Sequence, residues 1–343
     1  MSKYLLTIIL SLIFYSCTEN KGLIKPDINT NPIVKNVIND YKLLKISFIT
    51  NLTGHKNYIF YVDFSHDLKY IASGSADKTV KIWSYSNFSL ITNLIENYDE
   101  IWGIPLKFSM DNKYLVIGSY ENLKIVSILE NFKEISSVLA HKKGIQSLTI
   151  APDSKSVLTA GVDGELCIWS IPELELKLRI KAHNSEIWSV CISPDGKTAI
   201  SGSEDAQAKI WSYPELNLIT NIKFHQMPIE YVTYSTKGNY ILVSSSDTTT
   251  SIWKTSDLSS PFQVLKGHMG SVLVATFTID DEYVISGGDD NVIYCFELSN
   301  ANINTILKNH FGDIMTLAMS DDGIYFASGS RDRLIKIWKL TKE

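Results

Sequence analysis

Short apolar stretches separated by turn residues recur along most of this chain. Residues 186–193 alternate apolar and polar positions, and residues 194–197 (Pro-Asp-Gly-Lys) carry a turn signal. Small residues at 199–203, a segment ending in Ile-Trp at 210–211 and a further segment at 216–222 follow at close spacing. Alternation with a period of two, bounded by Gly, Pro and Asp, is typical of β-strands. The pattern therefore predicts an all-β chain built from units of four short strands.

A repeat of 42 to 43 residues underlies this pattern. Six of the seven histidines lie in register, at gaps of 86, 42, 42, 43 and 42 residues: His55, His141, His183, His225, His268 and His310. Each is followed 22 positions later by an aspartate: Asp77, Asp163, Asp205, Asp247, Asp290 and Asp332. Each is followed 28 positions later by an aromatic residue: Trp83, Trp169, Trp211, Trp253, Phe296 and Trp338. A period of this length indicates structural repeats that stack into one core.

The gap of 86 residues is a double step that contains one further, degenerate unit. Its segment Glu100-Ile-Trp102 matches Glu186-Ile-Trp188 of a regular unit, and residues 117–121 match the Ser-Gly-Ser-x-Asp segment. This unit has lost the motif His, Asp and Trp. The sequence therefore predicts seven units in all.

The order of motifs within a unit resembles the WD-repeat family. The first unit reads Gly-His55, then Ser73-Gly-Ser-Ala-Asp77, then Ile-Trp83, and the likeness extends over residues 43–338. In every regular unit the Asp that follows the aromatic residue in the family is replaced. The resemblance implies a seven-bladed β-propeller with four strands per blade.

The ends of the chain predict how such a ring is closed. Residues 47–52 (SFITNL) match residues 89–94 and 217–222, which are both predicted fourth strands. The chain ends soon after Trp338, before the seventh unit has a fourth strand of its own. We therefore expect the N-terminal strand to complete the last blade and so to remove an exposed sheet edge.

The resemblance also implies a role for the recurring polar residues. In the family, His bridges Asp and a strand Ser or Thr, and that hydroxyl reaches Trp, which gives a structural tetrad. A catalytic triad is the alternative, but a triad is needed once and this set recurs about six times. The tetrad positions are His55, Ser73, Asp77 and Trp83; His141, Thr159, Asp163 and Trp169; His183, Ser201, Asp205 and Trp211; His225, Asp247 and Trp253; His268, Ser286 and Asp290; and His310, Ser328, Asp332 and Trp338. Val243 stands where the fifth unit needs Ser, so its tetrad is expected to be incomplete.

In the WD-repeat family, partners usually dock on the top face, and residues three and five positions after the motif His point there. The residues assigned to it are Tyr58, Phe60, Glu100, Trp102, Glu186, Trp188, Glu230, Leu273, Asp313 and Met315. Aromatic residues with a charged rim are typical of binding hot spots. The alternative is that Trp102 and Trp188 pack inside the blades. We expect this face to bind a protein segment that contains Lys, Arg or aromatic residues.

The N-terminus has the pattern of an export signal. Lys3 precedes an apolar run, too short to span a bilayer, that ends at Ser16-Cys17. Residues 1–17 resemble the signal of bacterial lipoproteins, which implies lipidation of Cys17 and a membrane anchor at the cell envelope, facing away from the cytoplasm. An ordinary cleaved signal, which gives a secreted protein, and a retained anchor are alternatives. Residues 18–42 are predicted to be a flexible tether, and residues 43–343 the propeller.

Composition narrows the function classes. The net charge of -5 and the absence of a Lys/Arg run argue against nucleic-acid binding, and 4 Cys cannot form a disulfide scaffold. No metal spacing or phosphate-binding Gly loop is present, so no cofactor is expected. The leading interpretation is a non-enzymatic, monomeric scaffold for protein or peptide partners. An envelope enzyme or small-ligand binder with a site at the channel mouth is the alternative, but the inner strands offer only Asp63 and no His. A cytosolic scaffold is a third possibility if the N-terminus is not a signal.

Overall fold

The computed structural model describes residues 44–95 and 103–342. These residues form seven antiparallel four-stranded sheets, which confirms the all-β propeller predicted from the repeat. Within these two ranges no helix is long and apolar enough to cross a membrane.

Each blade has the same up-and-down strand order. The first strand within the described residues is β1 (Leu44–Leu52), and blade 1 follows it with β2 (Ile59–Phe64), β3 (Tyr70–Ser75), β4 (Thr79–Ser84) and β5 (Leu90–Ile95). Blade 2 contains β6 (Leu106–Phe108), β7 (Tyr114–Ser119), β8 (Asn122–Ser127) and β9 (Lys133–Leu139). Blade 3 contains β10 (Ile145–Ile150), β11 (Ser156–Gly161), β12 (Glu165–Ser170) and β13 (Leu176–Lys181). Blade 2 therefore keeps the four-stranded form although its motif residues are lost.

The remaining blades repeat the arrangement. Blade 4 contains β14 (Ile187–Ile192), β15 (Thr198–Ser203), β16 (Ala208–Ser212) and β17 (Leu218–Ile222). Blade 5 contains β18 (Ile229–Tyr234), β19 (Tyr240–Ser245), β20 (Thr249–Lys254) and β21 (Gln263–Lys266). Blade 6 contains β22 (Val272–Phe277), β23 (Tyr283–Gly288), β24 (Ile293–Glu297) and β25 (Ile303–Leu307). Blade 7 contains β26 (Ile314–Met319), β27 (Tyr325–Ser330) and β28 (Ile335–Lys342).

The N-terminal strand closes the ring, as the sequence predicted. Strand β1 pairs antiparallel with β28 and becomes the fourth strand of blade 7, from Leu44 opposite Lys342 to Leu52 opposite Ile335. The first strand of each blade packs beside that of the next, and β26 of blade 7 returns to β2 of blade 1. This pairing covers the edge that β28 would otherwise expose.

Apolar side chains fill the spaces between neighbouring blades. Between blades 3 and 4, for example, Leu158 and Leu166 of one blade pack with Ile187 and Trp211 of the next. The blades approach so closely that a Cβ on Gly74 would lie 2.2 Å from the carbonyl oxygen of Ile104. Small residues in the second strand of each blade are therefore a packing requirement.

The strand order defines two faces. We call the top face the end that carries the loops joining the fourth strand of one blade to the first strand of the next, together with the turns between second and third strands. The motif His and Asp residues lie in these loops and turns. The opposite face carries the turns between first and second strands and between third and fourth strands.

Candidate functional site

Buried hydrogen-bond networks join the motif residues within the blades. In blade 4, Nδ1 of His183 lies 3.0 Å from a carboxylate oxygen of Asp205, and its Nε2 lies 2.7 Å from Oγ of Ser201. The indole Nε1–H of Trp211 donates to the same hydroxyl at 2.9 Å. Because the Asp205 carboxylate can only accept, Nδ1 of His183 carries the proton and donates to it. Nε2 of the neutral ring is then an acceptor, so the Ser201 hydroxyl donates to Nε2 and its oxygen accepts from the indole. One set of proton positions therefore satisfies the whole network.

Burial makes this histidine neutral and this serine inaccessible. Burial lowers the pKa of His183 to about 4, although the Asp205 carboxylate acts in the opposite direction. Ser201 has no exposed surface. The three side chains are arranged as in a hydrolase triad, but a substrate cannot reach the hydroxyl. The geometry therefore supports a structural role, in which a satisfied polar network fixes one blade conformation.

The same contacts recur in other blades. The distance from the His Nε2 to the Ser or Thr hydroxyl is 2.8 Å for His55–Ser73, 2.8 Å for His141–Thr159, 2.9 Å for His268–Ser286 and 2.7 Å for His310–Ser328. The distance from Nδ1 to the carboxylate is 2.9 Å for Asp77, 3.0 Å for Asp163, 3.0 Å for Asp290 and 2.7 Å for Asp332. The indoles of Trp83, Trp169 and Trp338 donate to these hydroxyls at 2.9, 3.1 and 2.9 Å. Blade 6 has Phe296 at this position, which has no N–H to donate.

The prediction that the tetrad of blade 5 is incomplete at Val243 is wrong, because a different strand supplies the hydroxyl. Ser251 on β20 lies 2.8 Å from Nε2 of His225 and accepts from Nε1 of Trp253 at 2.9 Å. The third contact, from Nδ1 of His225 to Asp247, is 2.7 Å. Val243 and Ser251 are direct cross-strand partners, and side chains at such positions are close neighbours. A hydroxyl on either strand can therefore reach the same point.

The predicted top-face residues converge on the mouth of the central channel. The channel holds a cavity of about 420 Å³ that is lined by residues from every blade. All the described residues five positions after a motif His line this cavity and are half-buried: Phe60, Gln146, Trp188, Glu230, Leu273 and Met315. Glu186 lines it as well. Trp188 therefore faces the channel and is not sealed inside a blade.

Two carboxylates flank the indole at this mouth. Glu186 accepts hydrogen bonds from Nε1 of Trp188 at 3.3 Å and from the amide of Gln146 at 3.4 Å. Glu230 accepts from the hydroxyl of Ser246. Burial raises the pKa of Glu230 to about 7, and the charge of Asp289 acts in the same direction. The mouth is thus an acidic and aromatic environment in which a cation would be stabilised.

Deeper in the channel, the one inner-strand carboxylate that the sequence singled out is already paired. The Nζ of Lys107 lies 2.6 Å from one oxygen of Asp63, and the backbone N–H of Phe108 donates to the other at 2.9 Å. Burial alone would lower the pKa of Lys107, but the Asp63 carboxylate outweighs it and raises that pKa. Both oxygens of Asp63 therefore have partners within the protein.

Tyr58 and Asp313 meet through a residue from a neighbouring turn. The guanidinium of Arg331 forms an ion pair with Asp313 at 2.9 Å and lies over the ring of Tyr58 at 5.6 Å. These three residues form a link between blades 7 and 1 on the top face. They stand at its rim, while the acidic mouth lies at its centre.

The sequence reasoning missed a further set of top-face residues. Met269 and Phe311 directly follow a motif His, and each is 90% exposed. Met227 is two positions after His225 and is 50% exposed. The signal is present in the sequence, as large apolar residues one or two positions after the motif His.

A group of potential metal ligands in blade 3 does not form a metal site. The ligand atoms of His141, Glu165 and Cys167 lie within 4.8 Å of one another. Both nitrogens of His141 are engaged in its tetrad, and Glu165 forms an ion pair with Arg179 at 2.7 Å. Burial raises the pKa of the Cys167 thiol to about 12, so the thiolate that a metal requires is disfavoured. These donors do not fit a metal.

Three predicted site residues lie outside the described ranges. They are Cys17, Glu100 and Trp102. Their assignments remain predictions from the sequence.

The closed ring of seven blades and the buried His–Ser–Asp–Trp networks define a β-propeller of the WD-repeat class. The family described as "WD domain, G-beta repeat" matches residues 46–84, 132–170, 174–212, 216–254, 259–297 and 301–339. Because these matches cover more than half of the chain, the protein belongs to the WD40 family. The unmatched stretch between residues 84 and 132 contains β6, β7 and β8, the first three strands of blade 2.

Several curated proteins are similar to part of the chain. Protein HIR1 of Eremothecium gossypii is 27% identical over 38% of this chain and 20% of its own length. Protein HIRA of Dictyostelium discoideum is 26% identical over 34% of this chain and 13% of its own length. Nuclear distribution protein nudF 1 of Talaromyces marneffei is 27% identical over 38% of this chain and 28% of its own length. The matches thus span less than a third of each relative, and with the family they indicate a protein-interaction scaffold.

Proposed function

We propose that this propeller is a non-enzymatic scaffold that binds a segment of a partner protein at the mouth of the central channel. A Lys or Arg side chain of that segment would lie among Trp188, Glu186 and Glu230. The observation that carries this proposal is the convergence of an indole and two carboxylates on one half-buried cavity of about 420 Å³. A cation over an indole face and beside carboxylates is attracted to both.

The raised pKa of Glu230 gives this binding a specific pH dependence. A cation binds the ionised carboxylate in preference to the protonated one, and Glu230 ionises near pH 7 because it is buried. Affinity for a cationic peptide should therefore rise as the pH is raised from 6 to 8. In the Glu230→Gln variant this rise should be lost, because glutamine does not titrate.

The test is a peptide-display selection against the immobilised propeller, followed by anisotropy titrations of the enriched peptides. Peptides rich in Lys or Arg should be enriched, and both Trp188→Ala and Glu230→Gln should weaken their binding at least tenfold. Glu215→Gln is the matched control, because Glu215 is exposed on a turn at the opposite face. If the enriched peptides bind both mouth variants as tightly as the original protein, the mouth is not the docking site.

A small-ligand site in the same channel is the second candidate function. The cavity of about 420 Å³ has the size of a small-molecule site, and Lys107 provides a polar group on its lining. A thermal-shift screen of small metabolites separates the two functions. A ligand whose stabilising effect is lost in a Lys107→Met variant, together with a failure to enrich any peptide, would favour this second function.

For localisation, we propose a lipid anchor at Cys17 that holds the propeller at the cell envelope. The support is the sequence of residues 1–17, with an apolar run that ends at the cysteine. Labelling with a radioactive fatty acid tests it, with Cys17→Ser as the control. Incorporation into the original protein and none into the variant is the expected result, and equal labelling or no labelling of both contradicts the anchor.

A further inference from the structure

Blades 5, 6 and 7 carry a run of exposed apolar residues on the top face. We call Met227, Met269 and Phe311 the apolar arc. Their side chains are 50%, 90% and 90% exposed, and they lie in the equivalent loops of three consecutive blades. Single exposed apolar residues need no explanation, but several in equivalent positions on one face mark an interaction surface.

The backbone holds this arc in place. The N–H of Met269 donates to the tetrad carboxylate of Asp290 at 3.0 Å, and the N–H of Phe311 donates to that of Asp332 at 3.1 Å. The buried networks therefore fix the loops from which these two side chains project. A partner that covers these side chains therefore does not have to order the loop backbone as well.

On blades 3 and 4, the top face carries polar residues at the positions equivalent to the apolar arc. The equivalent positions of blades 3 and 4 are Lys142, Lys143, Asn184 and Ser185, all of them polar. The top face is thus divided into an apolar half on blades 5 to 7 and a polar half on blades 3 and 4. A partner that uses the arc approaches from one side of the ring.

The charged residues beside the apolar arc differ between its channel side and its outer side. On its channel side are the carboxylate of Glu230 and the exposed Asp289, which lies close enough to raise the pKa of Glu230. On its outer side are the exposed Lys266 and Lys308, at or just after the ends of the outer strands β21 and β25. A segment that lies along the arc therefore meets carboxylates at its inner edge. Its complement at that edge is a cation.

We propose that the apolar arc and Glu230 form one docking surface for a partner protein segment that carries both large apolar side chains and a Lys or Arg. The apolar side chains cover Met227, Met269 and Phe311, and the cation points to the channel. Methionine suits this role because its flexible, polarisable side chain adapts to different apolar partners. This inference rests on the proposed function. It adds that the partner binds on the side of blades 5 to 7 and that its segment must carry large apolar side chains.

The test uses the same displayed peptides with one double variant of the arc and one control variant. Met269→Ser/Phe311→Ser should weaken binding of the enriched peptides at least tenfold, and those peptides should contain large apolar residues next to Lys or Arg. Leu129→Ser is the matched control, since Leu129 is 80% exposed on a turn at the opposite face. Because all three side chains are largely in solvent, thermal unfolding of the variants should match that of the original protein.

The outcomes separate this inference from the proposed function. If the peptides depend on Trp188 and Glu230 but bind the arc variant normally, the proposed function stands and the arc is not part of the site. If no peptide is enriched, both ideas fail. If the arc variant instead loses binding to vesicles of phosphatidylcholine and phosphatidylglycerol, the arc is a lipid-binding surface. If it loses self-association in sedimentation experiments, the arc binds a second copy of the chain, and either result overturns the proposal.

Discussion

The hydroxyl of Ser251 provides a direct test of the tetrad reasoning. In the Ser251→Ala variant, Nε1–H of Trp253 loses its acceptor and Nε2 of His225 loses its donor, and all three side chains are buried. Each buried group left without a partner costs about 1–3 kcal/mol. We therefore expect the variant to lower the free energy of unfolding by about 2–4 kcal/mol, a large part of the stability of an ordinary domain.

The cross-strand relation of Ser251 and Val243 gives a rescue experiment. The double variant Val243→Ser/Ser251→Val moves the hydroxyl to the strand that supplies it in the other regular blades. It should recover most of the lost stability, to within about 1 kcal/mol, because both the hydroxyl and the apolar volume are conserved. The assay is urea unfolding followed by intrinsic tryptophan fluorescence at constant pH.

Ser256→Ala is the matched control for these variants, since Ser256 is exposed in the loop after β20. It should change the free energy of unfolding by less than about 0.5 kcal/mol. The same small effect in Ser251→Ala would refute the claim that the network stabilises the blade. A large loss in Ser251→Ala without rescue in the double variant would refute the claim that the two strand positions are interchangeable.

Three further predictions concern stability. Because burial raises the pKa of Glu230 to about 7, ionisation of this one carboxyl costs stability as the pH rises from 4.5 through 7, so Glu230→Gln should be more stable than the original protein by about 2 kcal/mol at pH 8 and equal near pH 4, as measured by urea unfolding at both pH values. Gly287→Ala should lower the thermal midpoint, because its Cβ would lie 2.4 Å from Cγ2 of Ile314 and overpacking costs about 1–3 kcal/mol; an unchanged midpoint would contradict this packing. Lys107→Met should destabilise the fold by about 1–2 kcal/mol, because it leaves the Asp63 carboxylate without its cation and solvent in the channel screens that charge only in part. If the loss comes from this unpaired carboxylate, adding Asp63→Asn should restore stability in the same unfolding assay.

The fold was predictable because its information is periodic. The spacing from His to Asp and to the aromatic residue is the same in the regular units, so one recognised unit gives the others. Blade closure was predictable for the same reason, because residues 47–52 match the fourth strands of other blades. Blade 2 was placed by the double step in the repeat and by two short segment matches, since its motif His, Asp and Trp are absent.

The site was less predictable, because it depends on contacts between strands and between blades. Ser251 lies two positions before Trp253 in sequence, and only the pairing of β19 with β20 places it at the tetrad. The raised pKa of Glu230 depends on burial and on Asp289 of the next blade, which no local pattern contains. The exposure of Phe311 is likewise a property of its loop, because Phe296 and Phe326 in nearby strands are buried.

The pairing of β1 with β28 also orders events during synthesis of the protein. The amide oxygen of Asn51 and the Nζ of Lys336 are 3.0 Å apart in the closed ring but 285 positions apart along the chain. At ribosomal rates this separation corresponds to a delay of roughly 15 to 60 s between the emergence of the two strands. During that interval β1, with the exposed Phe48 and Ile49, has no partner strand. The nascent chain must therefore carry an open apolar edge while these 285 residues are made, and such an edge is prone to aggregate until β28 covers it.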